Sequence, residues 1–349
     1  MPGYLARMDE ENFEELILIQ DKKCGLKGAI CLHSTARGPA LGGTRLWPYS
    51  SEEEAVNDVM CLARGMSYKA AAAELPLGGG KGVIIGDPVR DKNEELFRAY
   101  GRFVERLNGR FITAADMGTD EKDLDYVRME TNNVVGGTKV GSPSPFTAYG
   151  VWKGIKACAD DVFHTLDLEG MTIAVQGTGS VGAALCGHLA ADGARLVVTD
   201  INEKKVKPIV ERWGAKAVKP EEIYNVKCDI FAPCGAGGVI NEESLPRLKC
   251  RIVAGAANNV IKESIYFQGL AKRGILYAPD YIINAGGLIF VEFNHRGTAD
   301  PGHIKSFIDR IGPRLKEIFR RSREENRLPH ETADLMAEEN LTIRVKTVI

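Results

Sequence analysis

The sequence predicts an α/β protein of two lobes, and three observations carry that prediction. The chain is 349 residues long, its apolar runs alternate with helical patterns, and one internal segment is crowded with structure-breaking residues. A single core usually serves about 100–200 residues, so this length favours two lobes with a cleft between them as the expected place for an active site.

In the first lobe, from Leu26 to about Lys139, short apolar runs such as GAICL (Gly28 to Leu32) and GVIIG (Gly82 to Gly86) alternate with longer helical patterns. Ser51 and Glu54 form a capping-box pattern ahead of Ala55, Val59 and Leu62 on one helical face. A second helical pattern covers Glu94 to Leu107 and stops at Asn108-Gly109. The segment GGTKVGSPSP, Gly136 to Pro145, marks the boundary, giving one domain over 1–141 and another over 142–329, with residues from about 330 to 349 expected to return to the first. The second lobe reads as strand (Thr172 to Val175), glycine turn, helix, strand (Arg195 to Val198), helix (Glu203 to Trp213), then strands near Asp229 to Ala232, Arg251 to Ala254 and Ile275 to Ala278. That alternation predicts a parallel sheet. His303 to Asn326 reads as one charged helix packing along a lobe surface.

Composition narrows the partners. Lys plus Arg total 45 against 47 Asp plus Glu, so no basic footprint points to nucleic acid. No run of about 18 apolar residues predicts a membrane helix, and the N-terminal segment lacks the apolar stretch of a secretory signal. The 8 cysteines show no C-x-x-C pair and no metal-ligand spacing, so they read as reduced and mostly buried, and no metal is expected. A cytoplasmic protein with a small-molecule partner is the resulting expectation.

GTGSVG, comprising Gly177, Thr178, Gly179, Ser180, Val181 and Gly182, follows the apolar run TIAV and opens a helical pattern. A lone G-x-G-x-x-G is weak, but here strand, turn, helix and a carboxylate, Asp200, about 20 residues downstream stand in the expected order. Gly177 permits the sharp exit from the strand, Gly179 admits a pyrophosphate, and Gly182 lets helix and sheet pack closely. The second lobe is therefore expected to be a doubly wound, Rossmann-type dinucleotide-binding domain. Asp200 suits ribose hydroxyls and repels a 2′-phosphate, which favours NAD; Lys204 and Lys205 weaken that preference slightly and read more simply as a solvated helix face.

Two residues of the first lobe are chemically unusual. Lys81 follows three glycines in what reads as a glycine-rich loop and precedes GVIIG, a poorly solvated setting that would lower its pKa toward a useful base. Asp116 lies in the apolar segment FITAADMG, where a carboxylate must be paired or functional, unless it caps the helix that follows.

Three long segments, GPALGGTR, GMSYKAAAAELPLGGGKGVIIGDP and RFITAADMGT, resemble the amino-acid dehydrogenase family of glutamate, leucine, valine and phenylalanine dehydrogenases, most of all the leucine enzymes. The resemblance continues in order through PSPFTAYGV, FAPCGAGG, GAANN and APDYIINAGG. It implies that Lys81 activates the attacking water, that Asp116 handles protons at the substrate amine, and that Lys69 pairs with the substrate α-carboxylate. It places Thr147 near the nicotinamide carboxamide and Asn259 near both cofactor and substrate, although a helix cap and a loop amide are their ordinary readings. Gly42 falls among the substrate-binding positions. The implied reaction is NAD-dependent oxidative deamination of an L-amino acid to a 2-oxo acid and ammonia.

Relatives acting on glutamate carry a lysine where this chain has Leu41, so a side-chain carboxylate would lack a partner. Leu41, Ala114, Leu288 and Val291 are the implied side-chain pocket, all aliphatic, which suits leucine, valine or isoleucine; Leu288 and Val291 alone would read as core. A phenylalanine or other aromatic substrate is the alternative. A non-enzymatic NAD-binding regulator would need the glycine turn but not Lys69, Lys81 and Asp116 together. A hydroxy-acid enzyme would commonly rely on a histidine base, and the 6 histidines stand outside these motifs. The resemblance also implies a homo-oligomer, plausibly an octamer. Two departures stand out: the Gly136–Pro145 segment and the tail after Leu341 are both short.

Overall fold

Five apolar segments in the first 115 residues pair into one mixed sheet. After α1 (Tyr4–Glu11) come β1 (Glu15–Asp21), β2 (Leu26–Ser34) and β3 (Ala40–Trp47). Next are α2 (Glu52–Ala72), β4 (Gly78–Ile85), α3 (Glu94–Glu105), β5 (Phe111–Ala115) and α4 (Glu121–Arg128). The strand order is β1-β2-β4-β3-β5, with β3 parallel to both β4 and β5 and the β1-β2-β4 side antiparallel. Side chains alternate across the pleat, so each face has its own core. Ala55, Val59, Met60 and Ala63 of α2 cover Ala29, Cys31 and Val83, while Phe97, Tyr100, Leu124 and Val127 of α3 and α4 cover Ile30, Leu46, Ile84 and Phe111. The computed structural model describes residues 3–341; the short tail after Leu341 lies outside the described residues.

Several local expectations are refined here. Ser51 caps α2 by accepting the Glu54 N–H at 3.1 Å, but the reciprocal arm is displaced: the Glu54 carboxylate takes the N–H and hydroxyl of Ser50. The GGGK run is strand, not loop, because β4 spans it, and β1 and β3 add strands that the sequence reading did not separate. Asn108 and Gly109 both take positive φ after α3, as a helix stop there requires.

The second unit begins with α5 (Ser144–Phe163) and continues through β6 (Thr172–Gln176), α6 (Ser180–Ala191), β7 (Arg195–Thr199), α7 (Glu203–Trp213) and β8 (Lys216–Ala217). It goes on with β9 (Ile230–Pro233), β10 (Ile252–Val253), α8 (Ile265–Lys272), β11 (Leu276–Tyr277), α9 (Asp280–Ile283) and α10 (Gly286–His295). The last helices are α11 (Pro301–Ile308), α12 (Ile311–Glu324) and α13 (Pro329–Leu341). Six parallel strands run in the order β11-β10-β9-β6-β7-β8. Counted from β6, that is the 3-2-1-4-5-6 order of a doubly wound sheet, whose switch point lies between β6 and β9. The stretch from His303 to Asn326 is two helices. Pro313 has no N–H for the Asp309 carbonyl, and its ring would collide with that carbonyl in a continuous helix, so the chain breaks at residues 309–310 and Pro313 falls in the first turn of α12.

Of the described residues, one unit takes those up to Ser142, Val291–Thr298 and those from Met336, and the other takes Pro143–Phe290 and Ala299–Leu335. All eight cysteines are free; five are buried, while Cys61 is exposed. Among the described residues, no helix is long and apolar enough to cross a membrane, and no cluster of His, Cys, Asp or Glu is arranged to hold a metal.

Candidate active site

Strand register gathers the first unit's charged residues. Leu41 pairs with Gly79 and Ile112, Arg45 with Val83, and Gly43 with Ala114. By the two-residue period, Leu41, Arg45, Lys81, Ala114 and Asp116 share the face that α2 covers. Asp116, just past β5, sits with its Oδ2 3.2 Å from Lys81 Nζ and 2.9 Å from Arg45 Nε. Its backbone N–H donates to Thr119 Oγ1 at 2.9 Å, and the cap of α4 is Asp120 in a capping box with Asp123. The Asp116 carboxylate is thus not a helix cap. Lys69 is half-buried near the end of α2, Leu41 is buried, Ala114 is half-buried, and Gly42 lies beside Leu41 on β3.

Burial drives the Lys81 ammonium below the ordinary lysine range; Asp116 pulls it back up, Arg45 pushes it down, and the balance stays low. For Asp116, burial alone would raise the carboxyl, but Lys81 and Arg45 together leave it below its ordinary value. Lys81 depresses Asp116 only while protonated. Arg45, charged at every accessible pH, keeps Asp116 ionised when Lys81 gives up its proton. The lowered pKa leaves the Lys81 amine more available as a proton acceptor than an exposed lysine would be.

In the second unit the glycine turn leaves β6 at the switch point. Gly177 has a φ of +95°, and a Cβ on Gly182 would stand 2.0 Å from the Gly177 carbonyl oxygen, so only glycine lets α6 start this close to the strand. Gly179 is the N-cap of α6, makes no side-chain cap, and has nothing within 4 Å of where a Cβ would be. The first N–H groups of α6, at Ser180, Val181 and Gly182, therefore face no capping side chain, an arrangement that fits a dinucleotide pyrophosphate. Asp200 follows β7 and is aimed by backbone: its Oδ2 accepts the Thr178 N–H at 2.8 Å and its Oδ1 the Asn202 N–H at 2.9 Å. Oδ2 also accepts the Thr178 hydroxyl at 3.5 Å. A carboxylate has about four lone-pair sites, so Oδ1 keeps acceptor capacity for a ribose hydroxyl.

Thr147 lies in the first turn of α5 and returns its hydroxyl to the Pro143 carbonyl at 3.2 Å, so it does not cap that helix. Asn259 is exposed, with a positive φ of 50°. Leu288 is buried and Val291 half-buried on α10, and each belongs to a different unit. Register brings Lys81, Asp116, Leu41 and Ala114 onto one face, and the turn brings Gly177 to Gly182 together with Asp200. Sequence reasoning missed Arg45, which bonds Asp116, and Asp58 and Tyr49, which follow behind it. The signal was the alternation Leu41, Gly43, Arg45, visible only once β3 is known to be a strand.

A doubly wound parallel sheet with this turn and carboxylate defines a dinucleotide-binding domain, and the lysine–aspartate pair of the other unit adds a candidate catalytic centre. Residues 14–133 match the model of the Glu/Leu/Phe/Val dehydrogenase dimerisation domain, and residues 197–300 match that of Glutamate/Leucine/Phenylalanine/Valine dehydrogenase. The chain belongs to this dehydrogenase family. It is 49% identical over 97% of its length to a leucine dehydrogenase of Thermoactinomyces intermedius, covering 94% of that protein. With a leucine dehydrogenase of Geobacillus stearothermophilus it shares 50% identity over 96% of its length, covering 92% of that protein. The crystal structure of L-tryptophan dehydrogenase from Nostoc punctiforme superposes with a TM-score of 0.87 at 41% identity, over 97% of this chain and 98% of that one.

Proposed function

We propose that this protein catalyses NAD-dependent oxidative deamination of a branched-chain L-amino acid to its 2-oxo acid and ammonia. The observation that carries the reading is the contact of the buried Lys81 Nζ with Oδ2 of the half-buried Asp116 at 3.2 Å. The leucine dehydrogenase relatives and the aliphatic residues Leu41, Ala114, Leu288 and Val291 support a branched aliphatic side chain.

Lys69 holds the substrate α-carboxylate by charge. Asp116, kept ionised by Arg45, takes a proton from the substrate ammonium. Gly177 to Gly182 and Asp200 would hold NAD, with Thr147 and Asn259 as further proposed contacts, and the bound cofactor would supply a two-electron acceptor for the hydride of the α-carbon. Lys81 in its neutral form removes a proton from the water that attacks the resulting iminium; Asp116 then protonates the carbinolamine nitrogen, the C–N bond breaks to release ammonia, and the hydroxyl proton passes to solvent as the 2-oxo acid forms. An absorbance assay of NADH formation across a panel of L-amino acids tests this: turnover is expected with leucine, valine and isoleucine. Faster turnover with phenylalanine or tryptophan would replace the substrate, and no turnover with any amino acid would remove the reading. The same reading makes the protein a cytoplasmic homo-octamer, supported by the dimerisation-domain match and the eight free cysteines; light scattering that gives a mass other than eight chains would overturn the octamer.

A further inference from the structure

We propose that Arg45, Asp58 and Tyr49 form a positioning relay that holds Asp116 aligned and ionised beside Lys81. The proposal rests on the amino-acid dehydrogenase reading above. Arg45, on β3, spans two carboxylates: its Nε donates to Asp116 Oδ2 and its Nη1 to Asp58 Oδ2, each at 2.9 Å. Tyr49 donates its hydroxyl to the same Asp58 oxygen at 2.5 Å. Asp58 is on α2, eleven residues before Lys69, three turns along and thus on the same side of that helix. A planar guanidinium bonded at both ends cannot swing, so Arg45 fixes where Asp116 stands. Arg45 and Lys81 both engage Asp116 through Oδ2, which leaves Oδ1 free of these bonds.

The relay also sets the charge that Lys81 feels. The charges that act on Lys81 include Asp116 beyond β5, in direct contact with it, and Arg45 on β3 and Asp58 on α2. Cys31, its partner across on β2, stays a neutral thiol, pushed up to about 12 by burial. Asp58 offsets Arg45, and Tyr49 keeps Asp58 in place. A cavity of ≈710 Å³ lined by Arg45, Trp47, Tyr49, Asp58 and Met117 admits water at this end of the relay, so Asp58 acts on Lys81 through more screening than Arg45 does.

The test combines pH profiles of kcat/KM with a readout that needs no turnover, the pH dependence of Lys81 acylation by acetic anhydride in the free enzyme, followed by mass spectrometry. Arg45→Gln removes a repelling cation and moves both the acid limb and the acylation midpoint up by about one pH unit. Asp58→Asn leaves Arg45 uncompensated and moves both down, by about half a unit. Arg45→Lys keeps the charge and restores the midpoint while kcat stays low, because one ammonium cannot bridge both carboxylates in the same plane. A purely structural role lowers Tm and activity and leaves the midpoints unmoved. Shifts in the same direction for Arg45→Gln and Asp58→Asn, or no shift in either, overturn the relay; if Arg45→Gln does not fold, an upward or absent shift in Asp58→Asn alone does so. Wild-type enzyme that oxidises no amino acid removes the functional reading instead, while the acylation midpoints still judge the relay.

Discussion

Replacing Lys81 with methionine separates the chemistry of its ammonium from the cost of burying it. The Lys81 side chain is 7% exposed, and its counter-ion Asp116 has a second cation, Arg45, at 2.9 Å. Loss of a general base lowers kcat by about 10²–10⁴-fold, that is about 3–5 kcal/mol of barrier. Breaking a buried ion pair usually destabilises by about 3–5 kcal/mol because one charge is left alone. Here Arg45 still neutralises Asp116 and a poorly solvated cation disappears, so Lys81→Met is expected to stay within about 1 kcal/mol of wild type at neutral pH. The pH dependence follows with a definite sign. The folded-state pKa of Lys81 lies below the unfolded value of about 10.4, so between the two the unfolded chain binds the extra proton. Wild-type stability therefore gains with rising pH across that window, and Lys81→Met lacks this gain. Urea denaturation at several pH values, run beside the NADH assay, measures all three effects. Activity within tenfold of wild type, or a stability loss above about 3 kcal/mol, would refute the reasoning.

Asp116→Asn should behave in the opposite way: Lys81 and Arg45 lose their shared carboxylate, and a loss of about 3 kcal/mol by urea denaturation is expected at neutral pH. The Asp116 carboxyl is held below its unfolded value of about 3.9, so its stabilisation is present above that value and fades as pH falls through the lower folded one; the variant should lack this acid-side loss. Gly182→Ala sets a methyl 2.0 Å from the Gly177 carbonyl oxygen, so a destabilisation of about 1–3 kcal/mol and weaker NADH binding by fluorescence titration are expected; an unchanged Kd and Tm would contradict the fit of the turn. Asp200→Ser removes a charged acceptor worth about 1.5–3 kcal/mol, so the NAD-to-NADP ratio of kcat/KM should fall at least tenfold, and an unaltered ratio would assign the preference elsewhere.

Periodicity and turn chemistry made the second unit legible. TIAV, the glycine turn and Asp200 carry a strand, a tight exit and a carboxylate in a local order that no distant contact can rearrange. The strands β8, β10 and β11 are each two residues long, too short to establish a period, and tertiary pairing decides where they begin and end. Glycine misled the reading of Gly78 to Gly80: its low strand propensity suggests a loop, whereas here it lets β4 lie close under Ser67 and Phe111. One apolar stripe hid the break between α11 and α12, although Pro313 held the necessary signal. Lys81 and Asp116 were legible as unusual residues, but their meeting depends on β3, β4 and β5 lying side by side, a non-local fact. Arg45 was missed for the same reason.

The glycines flanking Lys81 have an evolutionary consequence. A methyl at Gly79 would sit 2.0 Å from the Ser67 nitrogen, and one at Gly82 2.1 Å from the Tyr100 hydroxyl. Neither position takes a Cβ without displacing its neighbours, so a side chain at either would disturb the strand that carries Lys81. If the proposed pocket is right, changes of substrate should arise at neighbours that already carry side chains, Leu41 and Ala114 first among them. A saturation library should show nearly empty rows at Gly79 and Gly82, and its altered preferences at those two neighbours.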